Sequence, residues 1–504
     1  MGGKGRIITT DDTCAKVLIG AGRFERRHVA SLAHTDPPIR GLLSKESVND
    51  LQRFILRKNV CATRRERDMR SLTKIDEIVQ NHHRYREKCL NLIASECVTS
   101  PTVRRYLTTD FGYRYGTYMD DPSVRGYKGN RYIIEIEAEA QRLAKELFHA
   151  EYVDLRPLGG ESADAGVIMA LTNPGDTVIE TGAGYGGQMA CTRIVAPMAH
   201  GLPASLTKGL LNVAYWPYNI KTHQIDVDKA AEIVKKIRPS LLILGRAQIL
   251  FPPEPVKEIK EIAEQVGAYV AYDASHVFGL IAGKRSPNPL DDKADVMLGS
   301  HTKTFPGPQG GLILTNSEEM YARLQGGKGG RFAGGIVCNH HMNRIAALAA
   351  AFVEMKEFGE AYANQVLGNS SALGKAMYDL GLNVLYPELG FSRTHMVMVD
   401  VTKFGGGSEN ANLLEKANIL CGASSIPIDV GRGTSSGLRI GTQEITRTGM
   451  RENEMLGVAQ LIKRVVVGRE DPQDVSKDVA KFVSNFNRLT FSFDDGLNPY
   501  KLPF

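Results

Sequence analysis

The sequence predicts an α/β protein, with a mainly parallel sheet covered on both faces and a smaller α+β domain after it. Three observations carry this. From residue 130 to about 315, short apolar runs alternate with amphipathic helical patterns. Runs such as "SLLILG" and "DVMLGS" are apolar nearly throughout rather than at every second residue, as in strands buried on both faces. Beyond a long alanine-rich stretch near 342–366 the pattern changes to strands and two late helices.

Taken in order, "NRYIIEIEAEAQRLAKELFHA" from residue 130 puts Ile, Leu and Phe on one helical stripe. "YVDLRP" is a short strand, followed by a glycine-led helix, and "DTVIET" is the next strand. "DKAAEIVKKIRP" and "EPVKEIKEIAEQVG" are helices, with "SLLILG" between them and "AYVAYD", "DVMLGS" and "GLILT" after them as strands. "HMVMVDV" and "GLRIGT" supply strands to the C-terminal domain. The predicted organisation is an extension or upstream sequence over 1–68, an N-terminal arm over 69–130, a large domain over 131–366 and a C-terminal α+β domain over 367–504. Residues 1–68 are arginine-rich and lack both a sustained period and the ordered parts of a secretory signal.

The 504 residues exceed one compact core. Hydrophobic content of 42%, charged content of 23% and a net charge of +6 are those of an ordinary globular protein. They make no case for nucleic acid, while suiting small anionic ligands. No stretch approaches the roughly 20 apolar residues of a membrane span. Seven cysteines (14, 61, 89, 97, 191, 338 and 421) are scattered without the spacing of a zinc site or disulfide framework. No metal is expected, and a reducing, cytoplasmic compartment is.

Ligands of open α/β sheets gather beyond the carboxyl ends of the strands, and three candidates stand there. Asp273 and His276 follow "AYVAYD", and Lys303 follows "DVMLGS", thirty residues after Asp273. "RPLGGESADAG" puts Gly159, Gly160 and Ser162 at a helix start, whose free N–H groups and dipole suit a phosphate. Singly, each has an ordinary reading as a turn, a cap or a core histidine. Together they are what pyridoxal phosphate needs: a lysine for its aldehyde, an acid for its ring nitrogen and an anion site. Arg439, in "SSGLRIGTQEITRTGM", offers a guanidinium for an amino-acid carboxylate.

These stretches, with "LNLIASECVTSPTVR", "DLRPLGGESADAGVIMALTNPGDTVI", "AYDASHVFGLIAG", "HTKTFPGPQGGLILT" and "NHHMNRIAALAAAFVEMKEFG", carry a resemblance. From about Met69 to Phe491 the chain resembles serine hydroxymethyltransferase, its archaeal-type branch above all. The resemblance implies a fold type I pyridoxal-phosphate transferase, with a seven-stranded-type sheet. It also implies a homodimer or tetramer with shared active sites, and interconversion of serine and glycine with tetrahydrofolate or a modified pterin. It makes Lys303 the cofactor lysine, Asp273 the partner of the ring nitrogen and His276 a neighbour of the phenolic oxygen. Gly160 and Ser162 fall in the phosphate cup, Ser95 and Arg439 in the substrate site, and Tyr115 matches a tyrosine that reaches into the neighbouring subunit.

The chain departs from the family pattern at several places. A glutamate that handles the proton of the serine hydroxyl is replaced, within the longer "RYGTYMDDPSVRGYKGNRY", by Arg125 or Thr117; Asp120 or Asp121 could substitute for it. Ile133 stands for a tyrosine, Gln188 for the histidine that stacks on the cofactor ring, and Thr302 for the histidine before the lysine. Glu161 sits beside the phosphate site, where a carboxylate repels unless it points away. Three functions therefore stand open: a hydroxymethyltransferase, a related aldolase, transaldolase or α-methylserine-type enzyme that dispenses with tetrahydrofolate, and a catalytically weak cofactor-binding partner subunit.

Overall fold

The computed structural model describes residues 68–118, 121–188, 211–325, 337, 339–430 and 432–501. The reading of residues 1–68, Asp68 aside, and of Asp120 lies outside the described residues. The chain divides into residues 1–79 and 80–504. In the first unit, residues 68–79 are helical and expose Met69, Leu72, Ile75, Ile78 and Val79.

The apolar runs become the strands of a seven-stranded sheet: β1 (Tyr152–Asp154), β2 (Thr177–Glu180), β3 (Asn212–Tyr215), β4 (Leu241–Leu244), β5 (Tyr269–Asp273), β6 (Val296–Ser300) and β7 (Gly311–Thr315). Their order is β1-β7-β6-β5-β4-β2-β3. Pairing is parallel from β3 to β6, and β7 runs antiparallel to both β6 and β1. The two-residue period of a strand explains why these runs are apolar throughout. In β4, Leu242 and Leu244 enter the core on one face, and Leu241 and Ile243 that on the other.

The first face is covered by α1 (Arg131–Phe148) and part of α5 (Met342–Asp379), where Phe148, Phe278, Phe305 and Phe352 pack edge to face or tilted. The second is covered by α2 (Gly160–Leu171) through Ala163, Val167 and Ile168. Between these helices in the chain order lie α3 (Val227–Ile237) and α4 (Val256–Glu264). The helix expected near 342–366 runs on to Asp379, because no proline interrupts it before Gly381, whose φ of 86° ends the pattern.

A second sheet, entirely antiparallel, has the order β8-β9-β11-β10. It is made of β8 (Asn383–Val384), β9 (Met396–Asp400), β10 (Gly422–Ser424) and β11 (Gly437–Gly441). Helices α6 (Met455–Val466) and α7 (Pro472–Val483) pack their apolar faces into its core. Three strands of these two sheets were not foreseen: β3, an edge strand whose four residues are all partly or fully exposed, and the short β8 and β10.

Candidate active site

The parallel pair β5 and β6 delivers its chemistry at one edge. Asp273 is the last residue of β5, and its Oδ1 accepts from Ser275 N at 2.8 Å. Ser275 Oγ accepts in turn from Ser300 N at 2.8 Å, at the end of β6. Gly299, with φ of 140°, makes this possible, since a Cβ there would lie 2.5 Å from Ser275 Oγ and 2.8 Å from Asp273 Oδ1. The other carboxylate oxygen, Asp273 Oδ2, is buried and has no hydrogen-bond partner among the described residues. An orphaned buried carboxylate oxygen is costly unless something pairs with it.

Lys303 follows β6 in a half-buried turn. The next residue, Thr304, donates through its hydroxyl to His276 O at 2.9 Å and accepts from Gly279 N at 3.1 Å, which ties this turn to the one after β5. Burial pushes the Asp273 carboxyl up, against the pull of the Lys303 ammonium and the Ser275 bonds. Burial likewise drives His276 well below its ordinary range, with Lys303, Arg439 and His395 acting in the same direction. Lys303 thus shares one electrostatic neighbourhood with Asp273 and His276.

The residues expected to hold a phosphate meet that neighbourhood at the start of α2. Ser162 Oγ donates to Gly159 O at 2.8 Å and accepts from Gly159 N at 2.9 Å, which fixes the first turn. A Cβ on Gly160 would lie 3.1 Å from Ser300 N, so a small residue lets the helix start approach the end of β6. Glu161 is exposed. Arg439 lies in β11, half-buried, and donates from Nη1 to Ala247 O at 2.8 Å; burial lowers its pKa. Ser95 is partly buried and follows Ala94, against whose Cα a Cβ on Gly441 would lie at 2.5 Å. The end of β11 and the Ser95 turn are therefore in direct contact. Gln188 is half-buried at the end of a described stretch.

Tyr115 is not brought to this cluster. It is 49% exposed, with its ring 5.3 Å from that of Tyr127. Arg125 points elsewhere too: it is buried, and its Nη2 lies 2.6 Å from Glu137 Oε2, with its guanidinium 4.6 Å over the Tyr118 ring. Ile133 is buried in the core, and Asp121 is exposed and accepts from Ser123 N and Oγ. Two participants escaped the sequence reading. Asp164, buried in α2, has its carboxyl pushed well up by burial and by Asp273 and Glu161. His395 is fully buried and stacks on His276, with ring centroids 5.5 Å apart and planes 16° apart.

The serine hydroxymethyltransferase family model matches residues 69–462. The chain belongs to the serine hydroxymethyltransferase family. It is 42% identical over 427 residues to the serine hydroxymethyltransferase of Methanopyrus kandleri, covering 84% of this chain and 96% of that one. It is 39% identical over 432 residues to the enzyme of Pyrococcus furiosus, covering 84% and 97%. Among solved structures it is similar to an L-threonine transaldolase from Pseudomonas fluorescens, with a TM-score of 0.75 and 25% identity over 86% of this chain and 96% of the other.

As a member of this family the protein is a pyridoxal-phosphate enzyme that acts on β-hydroxy amino acids. Its residues fit that cofactor. Asp273 Oδ2 is an unpaired buried oxygen of the kind a protonated ring nitrogen would satisfy, and the first turn of α2 offers N–H groups to a phosphate. Among the described residues no group of His, Cys, Asp and Glu could hold a metal, and no helix is long and apolar enough to cross a membrane.

Proposed function

We propose that the chain is a serine/glycine hydroxymethyltransferase centred on Lys303, using tetrahydrofolate or a modified pterin as the one-carbon carrier. One observation carries this reading: the buried, unpartnered Asp273 Oδ2 and the Lys303 ammonium act on one another at the carboxyl ends of adjacent parallel strands. When bound, pyridoxal phosphate supplies an electron sink that weakens the bonds at the Cα of an amino acid.

The chain's residues do the rest. Lys303 Nζ would hold the cofactor's aldehyde carbon, and Asp273 would keep its ring nitrogen protonated. Gly160 and Ser162 would hold the phosphate, and His276 and Gln188 would serve the phenolic oxygen and the ring. Arg439 grips the amino-acid carboxylate, to which a guanidinium can donate twice, and Ser95 completes the substrate site. The exposed Tyr115 serves a neighbouring subunit of a homodimer or tetramer. A reducing, cytoplasmic setting agrees with the unpaired Cys89, Cys97 and Cys421.

A second reading is a transaldolase or aldolase, and one observation favours it. Arg125, which with Thr117 is one of the two residues read at the place of the family's acid/base glutamate, is bound to Glu137, and a missing general acid or base costs about 10²–10⁴-fold. The deciding experiment compares cleavage of serine, with and without tetrahydrofolate, with exchange of the β-substituent of threonine for an added aldehyde. Serine cleavage accelerated by the pterin supports the first reading. Aldehyde exchange indifferent to the pterin replaces it with the second.

A further inference from the structure

His395 stands 119 residues from His276 in the sequence, just before β9, and is 0% exposed. Its backbone is held on the other side, where His395 O accepts from Thr442 N at 2.8 Å and from Thr442 Oγ1 at 3.1 Å. The side chain meets two groups through one nitrogen: Nε2 lies 3.0 Å from Ala94 O and 3.4 Å from His276 Nδ1. Its Nδ1 has no partner among the described residues.

These contacts fix where the protons are. Burial drives the pKa of His395 down to about 3 and that of His276 well below its ordinary range, so each ring is neutral and carries one proton. Ala94 O can only accept, so the proton of His395 sits on Nε2 and is donated there. His395 Nε2 then has no lone pair left for His276. A proton on His276 Nδ1 would face an N–H and find no acceptor at this contact, an unpaired buried donor of the kind folded proteins avoid. The proton of His276 is therefore on Nε2.

We propose that His395 is a positioning residue: it holds the His276 imidazole in the tautomer that presents Nδ1 as an acceptor and leaves Nε2–H as the donor. The proposal that this donor faces the cofactor rests on the reading given under Proposed function, whereas the tautomer follows from the burial of the two rings and their contacts. The same imidazole is linked through Ala94 O to the turn bearing Ser95, and its backbone through Thr442 to the end of β11, the strand of Arg439. One buried residue thus connects the histidine assigned to the cofactor with both residues assigned to the substrate site.

The test is proton–nitrogen correlation spectroscopy on the full chain with nitrogen-15 in its histidine side chains, His276 being assigned by its loss in His276→Asn. The expected spectrum has His276 Nε2 in the protonated range and Nδ1 in the unprotonated range. In His395→Leu both nitrogens should move toward the averaged values of an imidazole that exchanges tautomers. In His395→Gln, whose amide can still donate to Ala94 O, the original values should return. In assays of the loaded enzyme, kcat of His395→Leu should fall about 10–100-fold with KM little changed, the size found for partners that orient ligating histidines. A proton on His276 Nδ1 in the unaltered protein, or unchanged nitrogen shifts in a folded His395→Leu, overturns the proposal. If His395→Leu does not fold, the spectrum of the unaltered protein decides. Failure of the cofactor reading is separate, since it would show as visible absorbance that survives Lys303→Ala, with the His276 shifts unaffected.

Discussion

Arg125 and Glu137 form a buried ion pair, Nη2 to Oε2 at 2.6 Å, and His340 Nε2 approaches the other carboxylate oxygen at 3.2 Å. Burial raises the Glu137 carboxyl, but His340 and Arg125 outweigh it and hold the group below the ordinary carboxylate range. Arg125 is thus a structural cation.

Arg125→Leu should therefore act on stability. It leaves a buried carboxylate without its ion-pair partner, at a cost of about 3–5 kcal/mol. Denaturant unfolding followed by circular dichroism measures this. A variant as stable as the parent but catalytically dead would return Arg125 to the chemistry.

Lys303→Ala should abolish the visible absorbance of lysine-bound cofactor and leave the fold intact, because Lys303 lies in a half-buried turn outside the hydrophobic cores. Absorption spectra of the purified variant give the answer, and a persistent band would move the covalent assignment to another lysine.

Arg439→Ala should weaken glycine binding about 10- to 150-fold, the equivalent of the 1.5–3 kcal/mol that a hydrogen bond to a charged group is worth. Spectroscopic titration with glycine reads it directly. The side chain also donates to Ala247 O, so Arg439→Lys is the companion variant: a retained fold with weakened glycine binding separates the two roles. Unchanged affinity in both would take Arg439 out of the substrate site.

His223 gives a pH prediction away from this site. Its Nε2 accepts from Arg246 Nη1 at 3.1 Å and its Nδ1 meets Tyr386 OH at 2.9 Å. Burial, and then Arg246, lower its pKa from 6.5 to about 3. The unfolded chain takes up a proton at this residue below about pH 6.5 that the folded chain refuses until about pH 3, so this contribution to stability is lost as pH falls between those values. At pH 5 it amounts to about 2 kcal/mol. His223→Gln should lose correspondingly less stability between pH 7 and pH 5. An identical pH dependence in the two proteins would show that His223 already takes up its proton in the folded state.

Much of this was legible in the chain, and what was missed has a physical reason. Strands β4 to β7 are apolar on both faces, so they announce themselves without knowledge of their neighbours. Edge strand β3, "NVAY", buries too little for its pattern to show. Asp273, Lys303 and the start of α2 were readable because the ends of adjacent strands converge whatever the side chains do. His395 and Asp164 were not, since their roles depend on contacts made only after folding. The Arg125–Glu137 pair did leave a trace: Glu137 stands among Ile133, Ala140, Leu143, Ala144 and Phe148 on the buried face of α1. A carboxylate on an apolar stripe asks for a cation. The sequence alone does not say which.

Helix α5 has a consequence for how the protein comes apart. Its 38 residues amount to a rod about 57 Å long. Ile345, Phe352, Tyr362 and Val366 lie in the core of the large sheet, whereas Leu373 and Met377 lie in that of the small one. Neither sheet can shed its share of this rod without leaving the other to hold a frayed end, so the two cores should lose their structure in one cooperative step. In calorimetry residues 80–504 would then give a single endotherm, and a chain made of two recognisable lobes would behave on heating as one body.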